Sequence, residues 1–405
     1  MKTYGIIAEY NPFHNGHRYQ IEETRKRTGC DVVAVLMSGD FTQRGEPALL
    51  DKWTRAEAAV RCGADLVLEL PAVFACSSAE HFAFGGVGIL EGLGVLEGIS
   101  FGVEADPPEA LMPVAELLAE ERPEFQDNLR EGLSDGMSYA AARSRAVRDL
   151  AGSAAAQLIS QPNNILAIEY LKQIIRRSSG LKPLMIRRKA AGYDNADYRE
   201  GIAGAGWIRE TIRGGAELKE LSGIYPEKLK DLYGSADCVS MGAFFPIMMY
   251  ALRNGKDLER IDGVTEGLEN RAQKAAKAAE NMEGFLEAVK SKRYSRTSVS
   301  RMMLRILLGV TKEEMEAFES NDRYAVRVLG FSPAGARLLR RLRKQEDSRV
   351  SVITNVNRQK PEDPLLQKML EYDSLAADLY DLVKNGRMGE HAEYKMKPYR
   401  AEAGR

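Results

Sequence analysis

Between Tyr4 and Tyr19 the sequence dictates a strand, a loop and a helix start in quick succession. An apolar run, Gly5-Ile6-Ile7-Ala8, leads through a Pro-containing loop to His14-Asn15-Gly16-His17, and Arg18 to Thr28 beyond it is polar and helix-permissive. A helix start carries unpaired backbone N–H groups and a partial positive charge, so it attracts phosphate. Imidazoles three residues apart at such a terminus face the same way and can donate to the same phosphate oxygens. Gly16 between them removes the side chain that would keep a flat base or a phosphate from the backbone. The chain has four histidines, and two of them stand here, which argues against ordinary turn residues.

The residues that follow supply the sheet such a turn needs. Asp31-Val32-Val33-Ala34-Val35-Leu36-Met37 is nearly continuously apolar, as a buried parallel strand should be. Trp53 to Cys62 reads as a helix stopped by Gly63, and Asp65 to Leu70 as a third strand closed by Pro71. Ser77 to Leu93 reads as a helix and Ile99-Ser100-Phe101 as a short strand ending at Gly102. This rhythm predicts an α/β, Rossmann-like domain with a parallel sheet, helices on both faces and ligands beyond the strands' carboxyl ends. The histidine loop and Gly102 both fall at such ends.

Pro107 to Asp149 is mainly helical, an insertion over about residues 107–150. An Asn in Ser160-Gln161-Pro162-Asn163-Asn164 is expected to cap a helix beginning near Ile165. Pro183 to Ile186 is the expected last strand, running into Arg187-Arg188-Lys189, and Ile208 to Arg213 starts a further helix. Strand signals fade from about residue 225, and Glu266 to Lys290 is rich in Ala, Glu and Lys. The expected division is therefore a catalytic α/β domain over 1–222 and a mostly helical domain over 223–405. Glu390 to Arg405 is polar, either an ordered arm or a frayed tail.

Composition removes several classes. Lys+Arg at 57 against Asp+Glu at 58 makes the chain no polycation, so any nucleic-acid surface is a local patch. Cys30, Cys62, Cys76 and Cys238 lack metal-ligand spacing, so neither a zinc site nor a disulfide framework is expected, and a reducing cytoplasm is. No apolar run approaches the roughly 18 residues of a membrane span, and the first residues do not resemble a signal peptide.

The chemistry expected at the histidines is attack by an oxygen nucleophile on the α-phosphate of a nucleoside triphosphate, with pyrophosphate leaving. Such reactions need positioning and charge neutralisation more than a protein nucleophile. His14 and His17 would stabilise charge on the phosphate oxygens, and neither needs to take a proton. A second group follows the second strand in Met37 to Pro47, with Ser38, Asp40 and Arg44, then Lys52 and Arg55 on the next helix. The sequence leaves open which of Arg44, Lys52 and Arg55 clamps pyrophosphate or carboxylate. Arg187 and Arg188 could grip the triphosphate, since guanidinium forks match phosphate geometry. Of Asn163 and Asn164, one would cap its helix while the other bonds a base or ribose. Basic residues also gather late, with Tyr294, in Lys290, Lys292, Arg293, Arg296, Arg301 and Arg305, and again in Arg337, Arg340, Arg341, Arg343 and Lys344. These suit an RNA backbone or a salt-bridged exterior.

Three stretches carry a resemblance. GIIAEYNPFHNGH, MSGDFTQRGEPALLDKWTRAE and QPNNILAIEYLK make the chain similar to the HxGH nucleotidyltransferases, and within them to the bacterial tRNA(Met) cytidine acetate ligases. The resemblance covers most of the chain. It implies an ATP-dependent ligase that activates acetate as acetyl-adenylate and forms N4-acetylcytidine at the wobble position of elongator tRNA(Met). The implied ATP site is Ile7-Ala8-Glu9-Tyr10-Asn11-Pro12-Phe13-His14-Asn15-Gly16-His17-Arg18-Tyr19-Gln20, completed by Gly102, one of Asn163 and Asn164, and the Arg187/Arg188 pair. Lys292, Arg293, Arg296, Arg340 and Arg341 become candidate tRNA contacts. ATP is the co-substrate, to which Mg2+ could be bound. Acetate and tRNA are the partners, with no protein partner and no resident metal expected.

Two departures from the wider pattern stand out. Where related enzymes have a Ser/Thr-rich turn ending in Ile-Arg, this chain has Ala203-Gly204-Ala205-Gly206-Trp207-Ile208-Arg209, which keeps backbone donors and loses hydroxyls. A further histidine-type residue after Tyr193 is replaced in Tyr193-Asp194-Asn195. Two rival readings share the motif: a small-molecule nucleotidyltransferase acting on a phosphorylated metabolite, and a non-catalytic RNA-binding protein on a decayed nucleotide fold.

Overall fold

Alternation along the first strands decides the architecture. In β1 (Thr3–Ala8) and β2 (Val32–Ser38), Ile7, Ala34 and Leu36 face one apolar cluster, while Ile6, Val33 and Val35 face another. Both faces being apolar, the sheet must be covered on both sides, as a parallel sheet is. Leu36 has no solvent exposure, and its truncation to Ala would cost about 2–5 kcal/mol. The computed structural model describes residues 1–189, 201–265, 267–345, 348–386 and 392–402. The Tyr193-Asp194-Asn195 departure lies outside them.

β1 pairs in parallel with β2 and with β4 (Gly98–Val103), β2 with β3 (Leu66–Leu70), and β4 with β5 (Lys182–Arg187). The sheet order is β5-β4-β1-β2-β3 and then β6 (Tyr324–Phe331) and β7 (Val350–Ile353), so it reverses between β1 and β4. That reversal opens a crevice beyond the carboxyl ends of these two strands. The expected helical insertion is present as Leu111–Glu120, Pro123–Ser134 and Tyr139–Leu158.

Two expectations are corrected. The region after residue 225 is mostly helical, as expected, but it carries strands where their signals fade: β6 joins the edge of the same sheet antiparallel to β3, and β7 and β8 (Tyr399–Arg400) pair in parallel with β6. A cut at 222 therefore passes through one sheet. β6 reads Tyr324-Ala325-Val326-Arg327-Val328-Leu329, and the charge of Arg327 hid a buried strand. Residues 392–402 form an ordered arm, with Ala401 N–H donating to Phe331 O at 3.0 Å. The second correction concerns the helix Pro162–Arg176, which begins at a proline in its first turn. Neither Asn163 nor Asn164 caps it, because the fixed φ of Pro162 starts the helix before them.

Candidate functional site

The histidine turn closes on itself. His14 is extended (φ −140°, ψ 176°) and caps α1 (Asn15–Thr28), its Nδ1 accepting from Gly16 N–H at 3.0 Å. His14 N–H in turn donates to His17 Nδ1 at 3.3 Å. Two imidazoles thus form a reciprocal cap in the places usually held by Ser or Thr and Glu. The ring centroids lie 3.8 Å apart. A Cβ on residue 16 would stand 2.8 Å from His14 Cε1, so only glycine lets the ring fold over the helix start.

This geometry sets the protonation. Burial, with Arg188 and Arg209 nearby, pushes His14 down to about 3. Burial, His14 and the same two arginines hold His17 well below its usual range. Both rings are neutral at pH 7, and with each Nδ1 accepting, the proton sits on Nε2. Nε2 of His14 is buried without a partner. A buried N–H left unpaired is costly, and it is a donor ready for an acceptor.

The cleft in front of the rings is lined by His14, Gly16, His17, Gln20, Gly102 and Arg188. Ile202, Ala203 and Gly204 form another part of its wall, and the helix Ala205–Arg213 starts there without a side-chain cap. Its first backbone donors have the polarity that suits phosphate. Gln20 Nε2 donates to Ser100 O at 3.2 Å, and Tyr19 carries Lys189 over its ring at 4.4 Å.

Several expected residues serve the frame rather than the cleft. Ile7 belongs to the sheet core, Tyr10 and Phe13 to the cluster behind His17, and Arg18 pairs outward with Glu22 at 2.8 Å. Tyr10 takes a positive φ of 48°, a strained choice for an aromatic residue. Ala8 closes β1; Glu9 accepts from Gln43 N–H at 2.8 Å, and Asn11 from Leu49 N–H at 2.7 Å. Pro12 follows Asn11 through a cis peptide. Asn15 ties α1 to the chain at Gly201 and Gly223.

The alternatives left open at the other strand ends now separate. Arg188 lines the cleft and donates to Asn163 Oδ1 at 3.1 Å, while Arg187 turns away to pair with Asp106 at 2.5 Å. Asn163 also bonds Glu104. Asn164 is buried and accepts from Glu104 N–H at 2.8 Å and Ala105 N–H at 3.1 Å, holding the exit of β4.

Lys52 and Arg55, expected as phosphate or carboxylate clamps, are corrected. Lys52 is fully buried at the start of α2 (Lys52–Arg61), paired with Glu69 at 2.8 Å and Glu393 at 2.9 Å. Arg55 donates to the carbonyls of Leu50 at 2.8 Å, Glu9 at 2.6 Å, Ser38 at 3.1 Å and Gly39. Their charges hold the loop in place. Ser38 is buried too, and Asp40 accepts from Lys52 N–H at 2.8 Å, with burial pushing its carboxyl up to about 6. Arg44 is exposed.

Arg209 is the site residue that reading the sequence missed, although its signal was the Ile208-Arg209 pair at the helix start. It donates to Asn11 O at 2.8 Å and lies beside the histidines.

The late basic residues divide. Arg305 is buried, donating to Val73 O at 2.7 Å; Arg301 reaches Gln43 O at 3.3 Å; Arg296 pairs with Glu283. Lys292 and Arg293 are exposed just ahead of the helix Arg296–Leu308, on which the 38–47 loop packs through Gly45 at Ser300 and Arg301. Arg340 and Arg341 are exposed on the helix Pro333–Leu342, where Arg341 reaches Met1 O at 3.3 Å at the amino edge of the sheet, away from the cleft. Among the described residues, no group of three or more His, Cys, Asp or Glu is placed to hold a metal ion, and no helix is long and apolar enough to cross a membrane.

Neutral paired imidazoles at a helix start, beside arginines and at the sheet's switch point, define a nucleotidyltransferase site. Residues 1–395 match the HIGH Nucleotidyl Transferase family, to which the chain belongs. A tRNA(Met) cytidine acetate ligase of Caldanaerobacter subterraneus subsp. tengcongensis is 38% identical over 390 residues, spanning 94% of this chain and 95% of its own. One from Clostridium kluyveri is 35% identical over 411 residues, spanning 98% of each. A crystal structure of Thermotoga maritima TmcAL bound with alpha-thio ATP matches with a TM-score of 0.89 at 31% identity, covering 99% of this chain and 100% of that one. Within the HIGH nucleotidyl transferases, the chain is a member of the tRNA(Met) cytidine acetate ligase family.

Proposed function

We propose that this chain is an ATP-dependent ligase that acetylates N4 of the wobble cytidine of elongator tRNA(Met) through acetyl-adenylate. The observation that carries the first half is the buried, unpartnered Nε2–H of neutral His14 in the cleft beside Arg188. A carboxylate oxygen of acetate attacks the α-phosphorus of ATP, the α–β bridging bond breaks, and pyrophosphate leaves. His14 and His17 donate through Nε2 to the non-bridging α-phosphate oxygens as charge grows there, keeping their protons throughout. Arg188, Arg209 and the N–H groups at Ala205 neutralise the departing pyrophosphate. Mg2+, when ATP brings it, rides on the triphosphate.

In the second step the cytidine N4 amine attacks the acetyl carbonyl carbon. The C–O bond to AMP breaks, and N4 loses one proton. This step needs the wobble base presented at the cleft, which the RNA-binding residues after 222 serve. Lys292, Arg293 and Arg296 fit that role better than Arg340 and Arg341, because Arg341 reaches Met1 O at the opposite, amino edge of the sheet. The family resemblance and its relatives' names support acetate and tRNA(Met) as substrates, and such an enzyme works in the cytoplasm.

Mass spectrometry of elongator methionine tRNA incubated with the protein, ATP and labelled acetate tests the reading. Label on cytidine, absent when ATP is withheld, is expected. Pyrophosphate exchange that responds to a phosphorylated metabolite and not to acetate would replace this reading with a small-molecule nucleotidyltransferase.

A further inference from the structure

Both peptide groups flanking His14 are held by one short segment far along the chain. The Phe13–His14 peptide offers its carbonyl to the hydroxyl of Tyr233 at 2.9 Å. The N–H of that same peptide is the donor to His17 Nδ1. The next peptide, His14–Asn15, donates its N–H to Ile224 O at 3.0 Å, while its carbonyl accepts from His17 N–H at 3.0 Å. Asn15 adds two side-chain bonds of 2.8 Å each, to Gly223 O and Gly201 O. Residues 223–233 thus grip the turn on either side of the first imidazole.

Tyr233 is 1% exposed, and its ring stands edge-on to Tyr225 at 4.9 Å. A buried phenol needs an acceptor, and the acceptor here is a loop carbonyl one residue from the reacting site. A peptide plane is rigid, so a bond to its oxygen fixes the direction of its N–H. A donor on the oxygen also polarises the N–H, strengthening what it gives to His17.

We infer that Tyr233 is a positioning residue for adenylation: through the Phe13–His14 peptide it aims His17 and keeps that ring's proton on Nε2. The inference rests on the function proposed above. Tyr233 touches neither ring, so its effect is on orientation in the transition state rather than on ATP affinity.

Acetate-driven ATP–pyrophosphate exchange tests it, with Tyr233→Phe compared against wild type and Tyr225→Phe. Tyr225 is the matched control, because among the described residues its hydroxyl bonds Lys219 O, at 3.5 Å, and not the histidine turn. Tyr233→Phe is expected to lower kcat about tenfold with KM for ATP within about twofold. Tyr225→Phe should stay within about twofold of wild type in both. The His17 ring nitrogens, followed by 15N NMR, should show a mixed tautomer in Tyr233→Phe alone. Unchanged kcat in Tyr233→Phe overturns the inference, as does an equal loss in both variants that tracks thermal stability. Tyr233→Phe keeps the ring that stands against Tyr225 and is expected to fold, so its kcat reads the lost hydrogen bond to Phe13 O. Wild-type protein that exchanges with a substrate other than acetate breaks the proposed function, and the same variants then test the positioning in that exchange.

Discussion

β1 and β2 run side by side and both end in polar loops, yet the two loops treat their polar groups in opposite ways. After β2, Lys52 and Arg55 are closed off by Glu69, Glu393 and four backbone carbonyls. After β1, His14 keeps a buried donor without a partner. Tyr10 and Ser38 also bury hydroxyls without a partner, so what marks His14 is that its unpartnered nitrogen belongs to a ring lining the cleft. Location at a carboxyl end nominates a residue for the site. For the charged groups, whether the protein already holds their hydrogen bonds separates frame from cleft.

The comparison breaks most visibly where a satisfied charge is removed. Lys52→Met leaves Glu69 and Glu393 buried with one cation fewer, and the loss should be about 3–5 kcal/mol of unfolding free energy by chemical denaturation. An enzyme of normal stability that had lost only activity would move Lys52 back into the site. His14→Ala is the mirror case. Acetate-driven pyrophosphate exchange should fall by about 10²–10³-fold. Its stability should fall by no more than about 1–2 kcal/mol, because the lost cap on α1 is partly offset by removal of an unpaired buried donor.

That contrast also explains how far the sequence could be read. The strand-loop-helix order, the parallel sheet and the place of the histidine turn at a helix start were legible because each follows from local pattern: Val-rich runs, a glycine between imidazoles, a proline closing β3. Arg327 and Glu393 were illegible. An arginine inside β6 breaks an apolar pattern, and its partner lies in the polar arm near the chain's end, so the ion pair that makes both tolerable exists only in three dimensions. The same holds for Arg187 and Arg188. Adjacent residues on a strand point to opposite sides, and which side meets the cleft depends on the register of β5 against β4.

The arginine pair gives a comparison of smaller size. Arg188→Met should raise KM for ATP about tenfold in pyrophosphate exchange, the loss of one charge-assisted contact. Arg187→Met removes only an exposed pair with Asp106 and should leave KM within about twofold. Equal effects from the two would mean that Arg187 swings into the cleft when ATP binds.

The smallest effect at neutral pH is also the one that tests the neutral rings directly. His14 titrates near its usual 6.5 when unfolded and is pushed down to about 3 when folded. Between those values the unfolded chain binds more protons, so stability rises with pH there. The contribution is complete above about 6.5 and is lost as pH falls toward about 3, at no more than about 1.4 kcal/mol per pH unit for one group. Denaturation midpoints measured from pH 7 down to pH 4 should therefore fall, and less steeply in His14→Gln. Catalysis should show no histidine limb over pH 6.5–8, since neither ring changes charge in that range. A rate that drops as pH falls through 6.5 would mean that an imidazole must lose a proton for turnover, and the role of the rings would shift from donors with fixed protons to general bases.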